Sequence, residues 1–275
     1  MLPGVVDRHV HLGLIDRGRL VGTPVVEVHD LGWDPAVIRQ WEDDTTGTVI
    51  RFAGPFHTAV GGYPHGRTWM PSTGVRQLSS SSDAPGAVAA VGAAGGSFVK
   101  IALHTGMPLL PDPVLYALVQ AAHEEGLLAY VHAEGPGQAE RAIAAGADAL
   151  AHVPWTEVLP DDVVAAAAVA AMTWISTLSI HPPGGNDAER ALQNARRFVR
   201  AGGRLVYGTD MGNGPTPVGV NEREILLLGR VGLSGAALLR AVLADHAAPR
   251  FTAPFPLPET AGDLVTWLAA ARPLG

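Results

Sequence analysis

Asp7, His9 and His11 stand at alternate positions of the apolar run PGVVDRHVHLG, residues 3 to 13. Side chains alternate across a strand, so in extended chain these three share one face, whereas on a helix a spacing of two turns neighbours about 200° apart. Two imidazoles so placed can reach a single ion, which makes the segment a candidate strand-borne metal site. The chain has no cysteine, so a transition metal is held here by nitrogen and oxygen. Zinc suits such ligands, and manganese, iron, cobalt and nickel are alternatives.

Such residues need elements to position them. Apolar, strand-like runs occur at residues 4–12, 24–31, 47–54, 97–106, 127–135, 148–153, 172–180 and 204–210. Amphipathic stretches such as DPVLYALVQAAHEEG and NDAERALQNARRFVRAGG lie between several of them, each ending in a glycine suited to a helix C-cap. Eight strand–helix units in 275 residues predict an α/β fold, a (β/α)8 TIM barrel forming one unit over residues 1–275, with its core at about 3–250 and a tail at 251–275. On that frame His9, His11, His132, His152 and Asp210 fall at the carboxyl ends of strands, and Lys100 lies on strand four. Strand tips ring one mouth of a barrel, so the set converges. A lone histidine of this kind is ordinarily a hydrogen-bonded core imidazole; five positions converging with a lysine are not.

Composition removes other classes. A formal charge of −7 with only 19 Lys and Arg gives no basic surface for nucleic acid. The longest apolar stretch, VVAAAAVAAM at 163–172, is too short for a membrane span, which takes about 20 residues. No basic segment followed by an apolar one opens the chain, so a cytoplasmic protein is expected. Its expected partner is a small-molecule substrate, with no nucleic acid or membrane and with homo-oligomerisation left open. LSSSSDAPG, 78–86, reads as a surface excursion or flap.

The ordered phrases DRHVH, VKIALHTG, YVHAEG, LAHV and YGTDMG resemble the amidohydrolase superfamily, in particular its imidazolonepropionase-like and prolidase-like branch, over about residues 3–250. That resemblance implies a binuclear metal-dependent hydrolase. His9, His11 and Asp210 would hold one divalent ion and His132 and His152 the other, with Lys100, carboxylated by carbon dioxide, bridging two ions that are most simply zinc. A carbamate supplies anionic oxygen where an ammonium would be repelled. In the implied mechanism the ions activate a water that attacks an amide, lactam, imide or dipeptide carbonyl, and Asp210 is the catalytic acid/base. The alternatives are a mononuclear deaminase or imidazolone-type hydrolase, and a catalytically silent barrel that binds a ligand.

Secondary candidates surround this set. His104 shares a strand face with Lys100 and is expected to contact substrate, as are Tyr63, on the glycine-rich loop after strand three, and His181, after strand seven. His57 and His65 belong to the same loop as Tyr63, and Trp155 could wall an apolar pocket. His29 ends strand two, while His123 and His246 look helical. Relatives carry a small β-sandwich; here it is expected to be absent or rudimentary, with ETAGDLVTWLAAARP, 259–273, resembling the tail strand that would return to it. Arg8 is directed toward the helix layer, where a charge needs a partner that the sequence does not name.

Overall fold

The computed structural model describes residues 1–42, 47–245 and 247–274, so His246 lies outside the described residues. The strands are β1 (Val5–Val10), β2 (Val25–Asp30), β3 (Val49–Phe52), β4 (Phe56–Ala59), β5 (Val75–Leu78), β6 (Phe98–His104), β7 (Leu128–Glu134), β8 (Ala149–Leu150), β9 (Thr173–Ile175), β10 (Arg204–Val206), β11 (Phe251–Thr252) and β12 (Arg272–Pro273). The helices are α1 (Pro35–Glu42), α2 (Ala84–Ala93), α3 (Asp112–Glu124), α4 (Gln138–Ala144), α5 (Asp161–Val169), α6 (Asn186–Arg200), α7 (Glu222–Arg230), α8 (Gly235–Val242) and α9 (Ala261–Ala269). Among the described residues, no helix is long and apolar enough to cross a membrane.

Ten strands form two parallel sheets, β1-β2-β3 and β10-β9-β8-β7-β6-β4-β5. β1 and β6 are buried on both faces but for the tip of β6, which is why they read as near-continuous apolar runs. Backbone hydrogen bonds run between the two sheets. Arg8 N donates to Tyr207 O (3.2 Å), Asp210 N to His9 O (2.9 Å) and His11 N to Met211 O (2.7 Å), while Ser97 N donates to Phe52 O (2.8 Å) at the other junction. Gly208 permits the first junction, because a Cβ there would come within 2.3 Å of Ile175 and 3.1 Å of the His9 amide. The third expected strand, 47–54, contains β3, which pairs with β2, while β4, which pairs with β6, lies just beyond it in the stretch expected as loop.

Helices cover the sheets through apolar stripes. In α6 the buried residues Ala188, Ala191, Leu192, Ala195 and Phe198 recur every three or four positions, and Phe198 stacks on Trp174 of β9 at 3.9 Å. At the amino ends of β6 and β7, Phe98 stacks on Tyr130 at 4.6 Å, filling the space below the strand tips.

One expectation is corrected and two are completed. Residues 259–273 are not a strand: most of the segment is α9, opened by a reciprocal capping box in which Thr260 Oγ1 accepts from Asp263 N (3.1 Å) and Asp263 Oδ2 accepts from Thr260 N (3.0 Å). Its buried Ala261, Leu264, Trp267 and Leu268 follow helical spacing, and Ala261 packs over Gly229 of α7. Among the described residues of the tail, the only sheet is the two-residue antiparallel ladder of β11 with β12, bridged to Leu2. Arg8 does have partners: Nη1 donates to Ala241 O (2.9 Å) and Nη2 to Leu243 O (3.4 Å), at the carboxyl end of α8 where the helix dipole favours a cation. Finally, LSSSSDAPG is a surface excursion, with Ser79, Ser81 and Ser82 exposed and Ser80 and Asp83 forming a capping box that leads into α2.

Candidate active site

A cavity of about 360 Å³ opens at the carboxyl ends of the strands. Its lining includes His9 and His11 from β1 and the residue just beyond it, Lys100 from β6, His132 and Glu134 from β7, His152 after β8 and Asp210 after β10. Positions spread over two hundred residues of sequence therefore meet in one pocket.

The first group is His9, His11 and Asp210, whose ligating atoms all lie within 4.8 Å of one another. Asp210 Oδ1 is 3.4 Å from His9 Nε2 and 3.3 Å from His11 Nε2. Each ring is anchored from behind: His9 Nδ1 meets Ala151 O at 2.7 Å and His11 Nδ1 meets Gly32 O at 3.4 Å. A backbone carbonyl can only accept, so Nδ1 carries the proton and Nε2 keeps its lone pair toward the cavity. Asp210 has φ of 57°, a left-handed conformation costly for a residue with a Cβ and typical of constrained functional sites. Asn213 Nδ2 donates to its other oxygen at 2.7 Å. Burial alone would push the Asp210 carboxyl up, but His9, His11 and His152 hold it well below the usual carboxylate range. Burial pushes His9 and His152 well down, keeping both neutral.

Lys100 is fully buried, and its Nζ has no hydrogen-bond partner among the described residues. Burial lowers it to about 7 against the opposing pull of Asp210 and Asp30. Asp30, which the sequence reading passed over, is buried and accepts from Leu12 N (2.7 Å) and Gly32 N (3.0 Å), tying together the loops after β1 and β2.

The second group is His104, His132 and Glu134. Glu134 Oε2 lies 2.9 Å from His104 Nδ1 and 3.2 Å from His132 Nε2. Burial works against its ionisation, but those imidazoles outweigh it and hold Glu134 below its ordinary value. Tyr63 stacks on His104 at 4.6 Å and on His132 at 5.1 Å. His104 thus touches the lining residues Tyr63 and Glu134 instead of lining the cavity itself. His181 reaches it through Trp155, 5.3 Å between ring centroids, and Trp155 walls the pocket beside His132 and His152.

His152 is fixed by a residue that the sequence reading missed. Its Nδ1 lies 2.8 Å from Thr177 Oγ1, and Thr177 is itself left-handed, with φ of 40°. Immediately after it, Leu178 N and Ser179 N donate to the buried Glu224 at 2.9 and 2.6 Å. Thr177 lies in the run 172–180 expected as strand, where β9 ends at Ile175 and nothing in the residue types marks a partner for His152, whereas Glu134, also passed over, repeats the two-residue spacing of His9 and His11 in the phrase HAE.

Asp7 does not line the cavity. It accepts from Thr209 N (3.0 Å) and Thr209 Oγ1 (2.5 Å), because the pairing of β1 with β2 shifts register between Asp7 and Val10 and breaks the alternation assumed for the three residues. His57 belongs to β4 and not to the loop, with Nδ1 3.0 Å from Lys100 O. His65 is exposed, His29 contacts Glu27 at 3.0 Å and His123 contacts Asp148 at 2.9 Å; none of the three lines the pocket.

No protein-family model and no curated protein matches the sequence, but solved structures match the fold. A Xaa-Pro dipeptidase crystallised with methionine in its active site superposes with a TM-score of 0.69 at 19% identity, over 90% of this chain and 78% of that one. The ochratoxinase of A. niger gives 0.70 at 15% identity, over 88% and 70%, and a protein described as an amidohydrolase gives 0.68 at 16%, over 88% and 72%. The chain shares the fold of these three structures. In that fold the cavity sits where the C-terminal strand ends gather functional side chains.

Proposed function

We propose that the chain is a metal-dependent amidohydrolase, a single unit whose strands close into a (β/α)8 barrel, cleaving an amide, lactam, imide or dipeptide bond. The observation that carries this reading is a lysine buried without a hydrogen-bond partner among the described residues, amid imidazoles whose Nδ1 atoms are held from behind. The hydrogen bonds that join Arg8, His11 and Asp210 to the neighbouring segment support closure of the barrel.

The donor set fits two hard or borderline divalent ions such as zinc. His9, His11 and Asp210 would hold one and His132 and His152 the other. Lys100 fits a bridging carbamate, because its lowered basicity leaves the neutral amine that adds to carbon dioxide. Divalent ions at these residues would polarise the substrate carbonyl and make a water acidic enough to attack it at neutral pH. Asp210, with Oδ2 steadied by Asn213 and Oδ1 turned to the histidines, takes the proton of the attacking water and passes it to the departing nitrogen. Tyr63, Trp69 and Trp155 exclude solvent around the scissile bond.

Elemental analysis after reconstitution with zinc and bicarbonate, paired with a hydrolysis screen of dipeptides, N-acyl amino acids and cyclic amides, tests the reading. Close to two ions per chain are expected, with at least one lost in Lys100→Ala. A single tight ion, unchanged in Lys100→Ala, would return the mononuclear alternative. Metal binding without turnover of any substrate in the screen would favour the ligand-binding barrel.

A further inference from the structure

Two carboxylates line the cavity, and they are placed differently. Asp210 has a side chain 3% exposed and engaged by His9, His11 and Asn213. Glu134 has a side chain 31% exposed, at the pocket wall, with only imidazoles against it. Histidines aside, the only basic residue among the described lining is Lys100, which is fully buried. No arginine is among the described residues that line the cavity; Arg67 lies outside it, 5.8 Å from the Tyr63 ring centroid. The pocket therefore offers a ligand one accessible anion and aromatic surfaces of Tyr63, Trp69 and Trp155, an environment that favours a cation. It offers a substrate carboxylate no such side chain.

We propose that Glu134 is a specificity-determining residue that receives a substrate ammonium, so that the substrates are aminoacyl amides or dipeptides with a free amino terminus and not N-acylated amino acids. The inference rests on the hydrolase reading above. Position supports it as well as charge. Glu134 lies two residues beyond His132 on β7, and an α-ammonium is only about 2.5 Å from its own carbonyl carbon, so a carbonyl attacked beside His132 carries its amino group to the neighbourhood of Glu134. Acylation removes that charge and adds bulk, leaving a carboxylate facing an uncharged amide.

The test uses the zinc-reconstituted full chain with L-leucyl 4-nitroanilide and its N-acetyl counterpart, together with calorimetric binding of L-leucinamide and N-acetyl-L-leucinamide. The free-amine members should be preferred by about tenfold or more, and the preference should fall as pH passes the ammonium pKa of the probe. In Glu134→Gln the preference and its pH dependence should both collapse, through KM, with the free-amine probes losing far more than the N-acetyl probes; Glu134→Asp should keep part of the preference. Equal binding of the two amides to the parent, preference for the acylated one, or equal losses for both in Glu134→Gln would overturn the proposal. Glu134-dependent binding of L-leucinamide without any turnover would uphold it and count against the hydrolase reading, so the two failures are distinct.

Discussion

The two histidine–carboxylate groups of the pocket use the same residue types and differ in what stands behind them. His9 and His11 are each anchored through Nδ1 to a backbone carbonyl, and their carboxylate, Asp210, is buried on a left-handed backbone. In the other group Glu134 keeps a third of its side-chain surface and Tyr63 stacks on both rings. Preorganisation of the first group suits an ion that must be held at fixed geometry. The openness of Glu134 in the second suits a carboxylate that meets a ligand, while the buried His132 beside it belongs with the ion-holding residues. Burial and outer hydrogen bonds, more than residue identity, distinguish a holding site from a recognising one.

The largest expected effect comes from removing the chemical capacity of the first group while keeping its shape. Asp210→Asn retains one ligating oxygen, and its amide nitrogen can donate to Asn213 once that amide flips to present its oxygen, but it cannot take up a proton. We predict that it folds and keeps most of its metal while kcat falls by a factor on the order of 10² to 10⁴, whereas Glu134→Gln acts through KM. Steady-state kinetics on a substrate found in the screen decide it. Near-parental turnover with metal bound would leave Asp210 as a ligand alone and dissolve the contrast in role.

A third buried imidazole gives the comparison a control. His57 is anchored like His9, its Nδ1 3.0 Å from Lys100 O, but among the described residues no carboxylate pairs with it, and it does not line the active-site cavity. Burial lowers its pKa to about 4, against ordinary values near 6.5. The unfolded chain therefore takes up a proton at higher pH than the folded one, and the stability His57 contributes is present above about pH 6.5 and lost as pH falls toward 4. Over that window the loss is on the order of 3 kcal/mol. Urea denaturation of metal-free protein between pH 7 and 4 should show His57→Gln losing less stability on acidification than the parent, despite starting lower. Parallel curves would show that the ring is not kept neutral by burial.

Much of this arrangement was legible in the sequence. The apolar runs of β1, β2, β6 and β7 announced parallel strands, and the histidines at their ends announced a shared mouth. The misses have separate physical causes. Asp7 was placed with His9 because alternation assumes a regular ladder, and the register shift in β1 is set by its neighbours. Residues 261–269 read as strand because Leu264, Val265 and Trp267 suit either state, although the Thr260–Asp263 capping box was present to arbitrate. β5 went unseen because Val75–Leu78 is four residues long and only Leu78 is buried. Thr177 could not be found at all, since its importance lies in a hydrogen bond to a residue 25 positions away.

That hydrogen bond gives the smallest effect and the finest test of the comparison, because His152 belongs to the holding side but is anchored by a hydroxyl in place of a backbone carbonyl. A hydroxyl can donate or accept, so the tautomer of His152 is less firmly dictated than those of His9 and His11. Thr177→Val keeps the branched shape at this left-handed position and removes the oxygen. We predict a metal affinity lower by about 10- to 100-fold, the range usual for a lost outer partner of a ligating histidine, with a thermal midpoint near the parent's. Thr177→Ser, which restores the hydroxyl, should recover most of it. In metal-free protein, ¹⁵N shifts of the His152 ring should report Nδ1–H in the parent and in Thr177→Ser, and a mixture of tautomers in Thr177→Val. Parental affinity and an unchanged tautomer in Thr177→Val would mean that packing against Trp155 and His9 holds the ring unaided, and an outer hydrogen bond would no longer mark the holding group at this histidine.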